Sequence, residues 1–398
     1  MSQPHTHPDS GRSNAPSSPR VTRARWAVSA FFFANGAAFA HWVTRIPDIR
    51  RQAELSDAQL GLALLGIAIG ALLAFPLAGW LIARRGSRTV TFAAGAAYCA
   101  LLPLLALPAG LPGLLGALLL FGFASGLLDV AMNAQGVEVE RSYPYPVMSS
   151  FHAFFSLGGL VGAAWGGVMA AAHVSTAAHF LSAALLLLAG LLLAGPLLLR
   201  TPPEPRGNAP LLALPPRPLW GLGALAFCAA VSEGAMADWS TVYLREVLAT
   251  SAGTAALGYA AFSVAMLLGR VFGDRLTGSL GAVTLSRAGG ALAAVGLGTA
   301  LLLGGTGWTL LGFACVGLGM SCAFPLVYSA AGRIPGISPG AGLASVATLG
   351  YGGFLLGPAM IGGLSELLGL RLALAVLVAL ALGIVFLSGT LRRGAAHA

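Results

Sequence analysis

The sequence contains no lysine, and charged residues make up only 9% of its 398 positions. A soluble domain carries about a quarter charged residues, so this composition excludes a chain that faces water on every side. Without lysine there is no Gly-x-x-x-x-Gly-Lys phosphate loop, and no metal-ligand spacing or nucleophile motif occurs either. We therefore expect no enzyme activity, no cofactor and no metal. The four cysteines all lie in apolar stretches, none in a Cys-x-x-Cys pair, which is typical of small buried side chains.

Long hydrophobic runs are abundant instead. Hydrophobic residues make up 57% of the chain, and the mean hydropathy is +0.83. A spanning helix needs about 20 apolar residues. The sequence therefore predicts an all-α membrane protein with twelve transmembrane helices, called spans 1 to 12 in chain order. They cover residues 26–46, 57–82, 89–108, 112–138, 147–171, 175–199, 219–246, 253–273, 282–304, 307–332, 340–365 and 370–391.

Polar and proline-rich segments divide the chain. Residues 1–24 are predicted to be a disordered cytoplasmic tail, and residues 200–218 a cytoplasmic linker, because both are rich in proline and polar side chains. Six-helix bundles over 25–199 and 219–391 flank that linker, and a short cytoplasmic tail covers 392–398.

All 22 basic residues are arginine. If the N-terminus is cytoplasmic, 17 of the 22, Arg270 among them, fall on the cytoplasmic side. The positive-inside rule then predicts that both termini and the linker lie in the cytoplasm of a bacterium, with the chain in its inner membrane. Because the arginines are spread over short loops, they indicate topology rather than a nucleic-acid partner.

The two halves of the chain repeat each other. Gly158 and Gly162 in span 5 match Gly353 and Gly357 in span 11, at an offset of 195 residues. In span 1 the segment Asn-Gly-Ala from Asn35 has a counterpart in the Glu-Gly-Ala of span 7. These matches indicate a duplicated six-helix unit in parallel orientation.

The loop between spans 2 and 3 carries a family signature. Its pattern is Gly-x-x-x-Asp-Arg-x-Gly-Arg-Arg, and residues 79–88 read Gly-Trp-Leu-Ile-Ala-Arg-Arg-Gly-Ser-Arg, with Ala83 in place of the aspartate. The second half keeps the pair as Asp274-Arg275. With twelve spans and a central linker, the chain resembles the major facilitator superfamily. The segments around Asp129 and Glu233 resemble a poorly characterised bacterial branch near the fucose permeases.

This resemblance implies a secondary active transporter that moves a small organic solute by alternating access. We expect proton-coupled symport by a monomer, with the solute, the proton and the lipid bilayer as its partners. Span 5 also resembles the antiporter signature Gly-x-x-x-Gly-Pro-x-x-Gly-Gly, although Ala163 replaces its proline, so proton-driven efflux of a drug or metabolite is the alternative. A non-transporting membrane sensor on the same scaffold is a third hypothesis.

Ionisable residues at membrane depth cost at least ~2.5–3.5 kcal/mol each on insertion scales, so each needs a functional or structural reason. Asn35 lies roughly 14 Å into a core of about 30 Å, and the repeat places Glu233 at that depth. In the family fold, spans 1 and 7 line the central cavity, which places His41 opposite Asp238. A carboxylate facing an imidazole can exchange a proton, so proton coupling is predicted for Glu233, Asp238 and His41. A static pair between Asp238 and Arg245 is the alternative.

Span 4 presents a small and polar face on which Asp129 and Asn133 lie one turn apart. Asp129 is predicted either to bind the proton or to brace a neighbouring helix. Trp42 and Trp239 are predicted either to stack on the substrate or to lie at the membrane interface. The predicted substrate-binding residues are Asn35, Trp42, Asn133, His152 and Trp239.

A gate is predicted at the cytoplasmic ends of the helices. Ion pairs there can form in one state and break in the other, although these arginines could also serve only as topology anchors. Ala83 predicts a weaker latch in the first half than at Asp274. The predicted gating residues are Arg84, Arg88, Glu138, Glu140, Asp274 and Arg275.

Overall fold

The structure, a computed structural model, describes residues 18–55, 57–107, 110–201 and 215–394. Most of the predicted N-terminal tail, the middle of the predicted linker and the last four residues lie outside the described residues. The described ends of the linker are Arg200 and Thr201 on one side and residues 215–218 on the other.

Helices form nearly all of the described chain. Ten helical stretches are long and apolar enough to cross a membrane, and the long helices α1 and α8 complete a set of twelve. The prediction of an all-α membrane protein with twelve spans is confirmed. The helices are α1 Pro19–Gln52, α2 Asp57–Arg85, α3 Ser87–Leu101, α4 Leu111–Arg141, α5 Met148–Ala171, α6 Thr176–Ala194, α7 Arg217–Val242, α8 Ala252–Leu280, α9 Ala282–Leu303, α10 Thr306–Met320, α11 Ala323–Ala331, α12 Pro339–Leu368 and α13 Leu370–Leu387.

Several helix ends differ from the predicted spans, among them α8, which continues to Leu280 instead of ending at 273, and two of the differences have a local cause. Helix α1 begins at Pro19, before the predicted residue 26, because the Ser18 side chain accepts a hydrogen bond from the Val21 amide and proline suits the first helical position. Span 10 is broken into α10 and α11. Pro325 causes this break, since its ring cannot pack against the carbonyl of Ser321 in a continuous helix.

Helices α1–α6 pack as one bundle and α7–α13 as a second. Glycines bring the paired backbones close together in both. Gly158 lies against the backbone of Phe33 where α5 crosses α1, and Gly353 lies against the Phe227 carbonyl where α12 crosses α7. The equivalent helices of the two halves therefore pack through equivalent small residues, as the repeat predicts.

The two bundles meet mainly through α2 with α12 and α5 with α8. Since twelve spans return the chain to the side where it starts, both described chain ends lie at one face of the molecule, which we call the terminus face. The cross-bundle hydrogen bonds and ion pairs described below lie from mid-depth to the terminus face. The protein is therefore held closed at that face.

The glycine contact between α5 and α1 can be tested with a matched pair of variants in α5. A Cβ at Gly158 would overlap the Phe33 carbonyl, whereas a Cβ at Gly167 meets no heavy atom within 4 Å. We expect Gly158→Ala to destabilise the fold by about 1–3 kcal/mol. Gly167→Ala should leave stability unchanged or raise it slightly, because alanine favours the helix. Thermal unfolding of the purified protein measures both, and equal melting temperatures would contradict the packing described.

Candidate functional site

A buried arginine joins the two bundles at the centre of the site. Arg270 in α8 is 6% exposed. One of its terminal nitrogens, Nη2, lies 3.6 Å from Glu233 Oε1 on α7, and the other donates a 2.7 Å hydrogen bond to Ser156 Oγ on α5. The guanidinium thus links α7 and α8 of the second bundle to α5 of the first.

Glu233 lies in the middle of α7, as predicted, and its side chain is 25% exposed. Its cation comes from the neighbouring helix α8 rather than from α7 itself. The positive-inside count places Arg270 among the cytoplasmic arginines, but the structure buries its side chain against Glu233. Its position within predicted span 8 was the sequence signal that could have identified it.

Asp238 does not share the face of Glu233. The two lie five residues apart, which is about 140° around a helix at 100° per residue, and Asp238 is exposed. Arg245 donates instead to the carbonyl of Thr250 at 2.8 Å. The structure therefore gives no support to the static pair between Asp238 and Arg245.

Asp129 on α4 forms the second cross-bundle contact. Its Oδ2 accepts a hydrogen bond from the Tyr328 hydroxyl on α11 at 3.1 Å, and its Oδ1 accepts one from Asn133 Nδ2 at 3.2 Å. Asn133 is fully buried, and its Oδ1 has no hydrogen-bond partner in the described part of the chain. Asp129 is thus held by one donor from each bundle.

His152 on α5 lies between these two groups. Its ring stacks on Tyr328 at a centroid distance of 6.0 Å and meets Phe32 edge-on at 5.1 Å. Its Nε2 is buried without a partner among the described side chains. His152 lies one helical turn from Ser156, which binds Arg270. We call this connected set the polar layer, and its members are Asp129, Asn133, His152, Glu233, Arg270 and Tyr328.

The aromatic side chains at the bundle interface differ from those predicted. Trp42 is fully buried inside the first bundle, and Trp239 is half-buried with an indole N–H that finds no partner among the described residues. Across the interface, Phe75 of α2 instead meets Tyr351 of α12 at 4.7 Å. Neither Phe75 nor Tyr351 was identified from the sequence, because aromatic residues in apolar helices carry no distinguishing pattern.

His41 faces its own bundle rather than Asp238. Its Nδ1 lies 2.9 Å from His179 Nε2 on α6, and Arg45 is 3.5 Å from the other nitrogen of His179. Asn35 is also buried, with its Nδ2 3.9 Å from Met132 Sδ on α4. The expected carboxylate–imidazole pair across a cavity is therefore absent from this conformation.

Glu140 is the central acceptor at the terminus face. This 3% exposed carboxylate accepts hydrogen bonds from the amides of Val147 and Met148, both at 2.9 Å. From the second bundle, Arg333 reaches it at 2.6 Å and the Ser329 hydroxyl donates to it as well. Glu140 thus ties the end of α4 to α11 and to the start of α5.

Asp274 caps the start of α5 from the other bundle. Its two carboxylate oxygens accept hydrogen bonds from the Ser149 amide at 2.7 Å and the Ser150 amide at 2.9 Å. A carboxylate at a helix N-terminus is stabilised by the unpaired amides and the helix dipole. The residue that precedes α5 is Val147, whose apolar side chain cannot accept hydrogen bonds from these amides.

The remaining predicted gate residues bind elsewhere. Arg84 lies 4.2 Å from the centroid of Trp80, and Arg88 donates to the carbonyl of Pro196. Glu138 pairs with Arg141 at 3.4 Å on its own helix, and Arg275 is exposed. In this conformation Glu140 therefore takes its cation from Arg333 and Glu138 from Arg141, rather than from Arg84 or Arg88.

In the first half, Ala83 occupies the position that corresponds to Asp274 in the second half. The contact between α2 and α12 therefore has no carboxylate at this position, as the signature indicates. A Cβ at Gly79 of α2 would lie 3.2 Å from the carbonyl oxygen of Gly340 on α12, so the two backbones touch directly. The start of α12 is capped by its own Ser338, which accepts from the Ala341 amide at 3.3 Å. The two bundle contacts at the terminus face thus use different interactions.

Comparisons with known proteins agree with this architecture. The Major Facilitator Superfamily model matches residues 27–358. An uncharacterised MFS-type transporter of Yersinia pestis is 38% identical over 86% of this chain and 89% of its own length. The membrane protein MosC of Rhizobium meliloti is 34% identical over 89% of this chain and 86% of its own.

Solved structures show the same fold. The transporter FucP in its outward conformation superposes with a TM-score of 0.77 at 16% identity, covering 93% of this chain and 99% of its own. The E. coli fucose:proton symporter FucP gives a TM-score of 0.72 at 17% identity, over 92% and 97%. The chain therefore belongs to the major facilitator superfamily of multi-pass membrane transporters.

Proposed function

We propose that the protein moves a small organic solute across the membrane by alternating access, as a proton-coupled symporter. The observation that carries the proposal is the polar layer, in which two carboxylates, Glu233 and Asp129, lie at mid-depth where the bundles meet. Both contact groups on other helices, so a change of bundle position changes their surroundings. Protonation and bundle movement are coupled in this way.

Glu233 and Asp129 are the groups to which we assign the proton. Protonation of Glu233 would remove the charge that faces Arg270, and protonation of Asp129 would weaken its hydrogen bond from Tyr328. Both changes loosen contacts between helices of the polar layer. His41 and Asp238 do not face each other in this conformation, and we do not assign them to coupling.

The contacts at Glu140 and Asp274 act as the gate in this proposal. They connect the buried Glu140 of the first bundle and the half-buried Asp274 of the second to donors of the opposite bundle. Opening the terminus face would have to break them, so they favour the conformation that is closed there. The excess of arginine at that face supports its assignment to the cytoplasm. The solute would then enter the site from outside a bacterial inner membrane, with the transporter acting as a monomer.

Removal of the Glu233 carboxylate tests the proton coupling. In vesicles containing a pH-sensitive dye, we expect at least one of a panel of neutral, anionic and cationic solutes to drive protons inward with it. Glu233→Gln should reduce gradient-driven uptake by more than about tenfold, since a fixed neutral side chain cannot carry the proton. Solute exchange without a gradient should persist.

The exposed Glu366→Gln is the matched control and should transport like the original protein. Full gradient-driven uptake by Glu233→Gln would refute the assignment. Proton movement against the solute would instead favour the efflux antiporter.

The gate at Asp274 can be tested by the accessibility of Cys322. This thiol is 6% exposed and lies beside Gly273 and Ser149 at the closed interface. We expect Asp274→Asn to speed maleimide labelling of Cys322 by about tenfold, because hydrogen bonds to a charged acceptor contribute about 1.5–3 kcal/mol. The other three cysteines would be replaced by alanine, and Glu366→Gln should label at the parent rate. An unchanged rate in Asp274→Asn would remove Asp274 from the gate.

A further inference from the structure

Arg270 keeps hydrogen-bonding capacity that its present partners do not use. Its Nε is buried and has no acceptor among the described residues. The distance of 3.6 Å from Nη2 to Glu233 exceeds the usual 2.7–3.2 Å of a hydrogen bond. Of the contacts that Arg270 makes with described residues, the bond to Ser156, at 2.7 Å, has good hydrogen-bond geometry. Leaving donors of a buried guanidinium unused is costly, so a ligand that supplies acceptors to them would be stabilised there.

The unused donors have a geometry that selects a ligand. A guanidinium presents its N–H groups in a planar fork that matches the two oxygens of a carboxylate. His152, one turn along α5 from Ser156, has its own buried and unpartnered Nε2. The phenyl and phenol rings of Phe75 and Tyr351 lie at the same bundle interface. Together these groups suit a small organic acid better than a solute without charge.

We infer that the transported solute carries a carboxylate, which binds Arg270 in the place of Glu233. The inference rests on the proposed function and names the solute class for the same site. In this exchange the ion pair between Arg270 and Glu233 breaks, and a new one forms between Arg270 and the solute. Glu233 then takes a proton from water, so that one proton and one carboxylate anion enter together.

The charge balance explains why the proton and the anion travel together. Among the described carboxylates Arg270 pairs with Glu233, which supplies one negative charge, whereas Asp129 of the polar layer is held by Tyr328 and Asn133. Binding of a second carboxylate without a proton would leave one uncompensated negative charge in a water-poor site, which is unfavourable. Protonated Glu233 removes that charge and remains a hydrogen-bond donor. Charge neutrality at Arg270 therefore couples solute binding to proton uptake.

The test uses the purified full-length protein and paired probes. Acetate, lactate and benzoate are compared with acetamide, lactamide and benzamide, and with fucose as a neutral polyol, all at high concentration. Thermal unfolding reports binding, because a ligand of the folded state raises the melting temperature. A pH indicator in weakly buffered solution reports proton uptake. We expect at least one carboxylate, but not its amide, to raise the melting temperature and to bind with about one proton.

Variants separate the roles of the two residues. Arg270→Lys should weaken carboxylate binding by roughly tenfold, since it keeps the charge but loses the fork, and Arg270→Gln by roughly a hundredfold. Glu233→Gln should bind the carboxylate several-fold more tightly and without proton uptake, because the competing carboxylate is gone. The exposed Arg287→Gln should bind like the parent protein. Circular dichroism of each variant checks that it is folded.

Specific outcomes overturn the inference. Equal shifts from a carboxylate and its amide, no shift from any carboxylate, or binding that is unchanged in folded Arg270→Gln would each refute the carboxylate site. Gradient-driven transport of a neutral or cationic solute that depends on Glu233 but not on Arg270 would refute the inference and leave the proposed function standing. Carboxylate binding at Arg270 without proton-driven transport would refute the proposed function and leave the carboxylate site standing.

Discussion

A guanidinium buried between two membrane-embedded bundles must find its partners among the surrounding helices, and this constraint sets the geometry of the site. Arg270 is buried and lies ten residues before the end of α8, so its position depends on Glu233 in its own bundle and on Ser156 in the other. An unpaired charge at this depth would be unfavourable by several kcal/mol. The relative position of α5, α7 and α8 is therefore limited to arrangements in which these groups meet.

The two contacts that hold the terminus face closed are asymmetric, although the halves are repeats. At the α5 contact, Asp274 from the other bundle caps the helix, and Glu140 adds a buried ion pair with Arg333. At the α12 contact, glycines bring two backbones together and Ser338 caps its own helix. The charged contact can be broken by a change in protonation or by a competing ion, whereas the packed contact cannot. Chemical control of opening is therefore concentrated on α5 and α8.

The sequence predicts what depends on local composition. Hydrophobic runs identify twelve spans, and the scarcity of charge at membrane depth singles out four residues. Glu233 and Asp129 lie in the polar layer, whereas His41 and Asp238 do not. It does not predict pairings between distant residues, such as Glu140 with Arg333 or His41 with His179. The chemistry of one residue in such a pair says little about its partner. Arg270 is a different case, because the positive-inside rule concerns arginines in loops and Arg270 lies within a span.

Helices α5 and α8 connect the polar layer to the gate. On α8, Arg270 and Asp274 lie four residues apart and therefore on one face. Their partners on α5 come in the reverse chain order, because Arg270 binds Ser156 toward mid-depth and Asp274 binds Ser149 at the terminus face. Gly273 lets the two helices approach closely beside Ser149. Because both interactions belong to one helix–helix contact, release of Arg270 from Ser156 would loosen the same surface that Asp274 secures. A ligand that draws Arg270 away from Ser156 would therefore act on the gate through α8 itself, without a separate relay of residues.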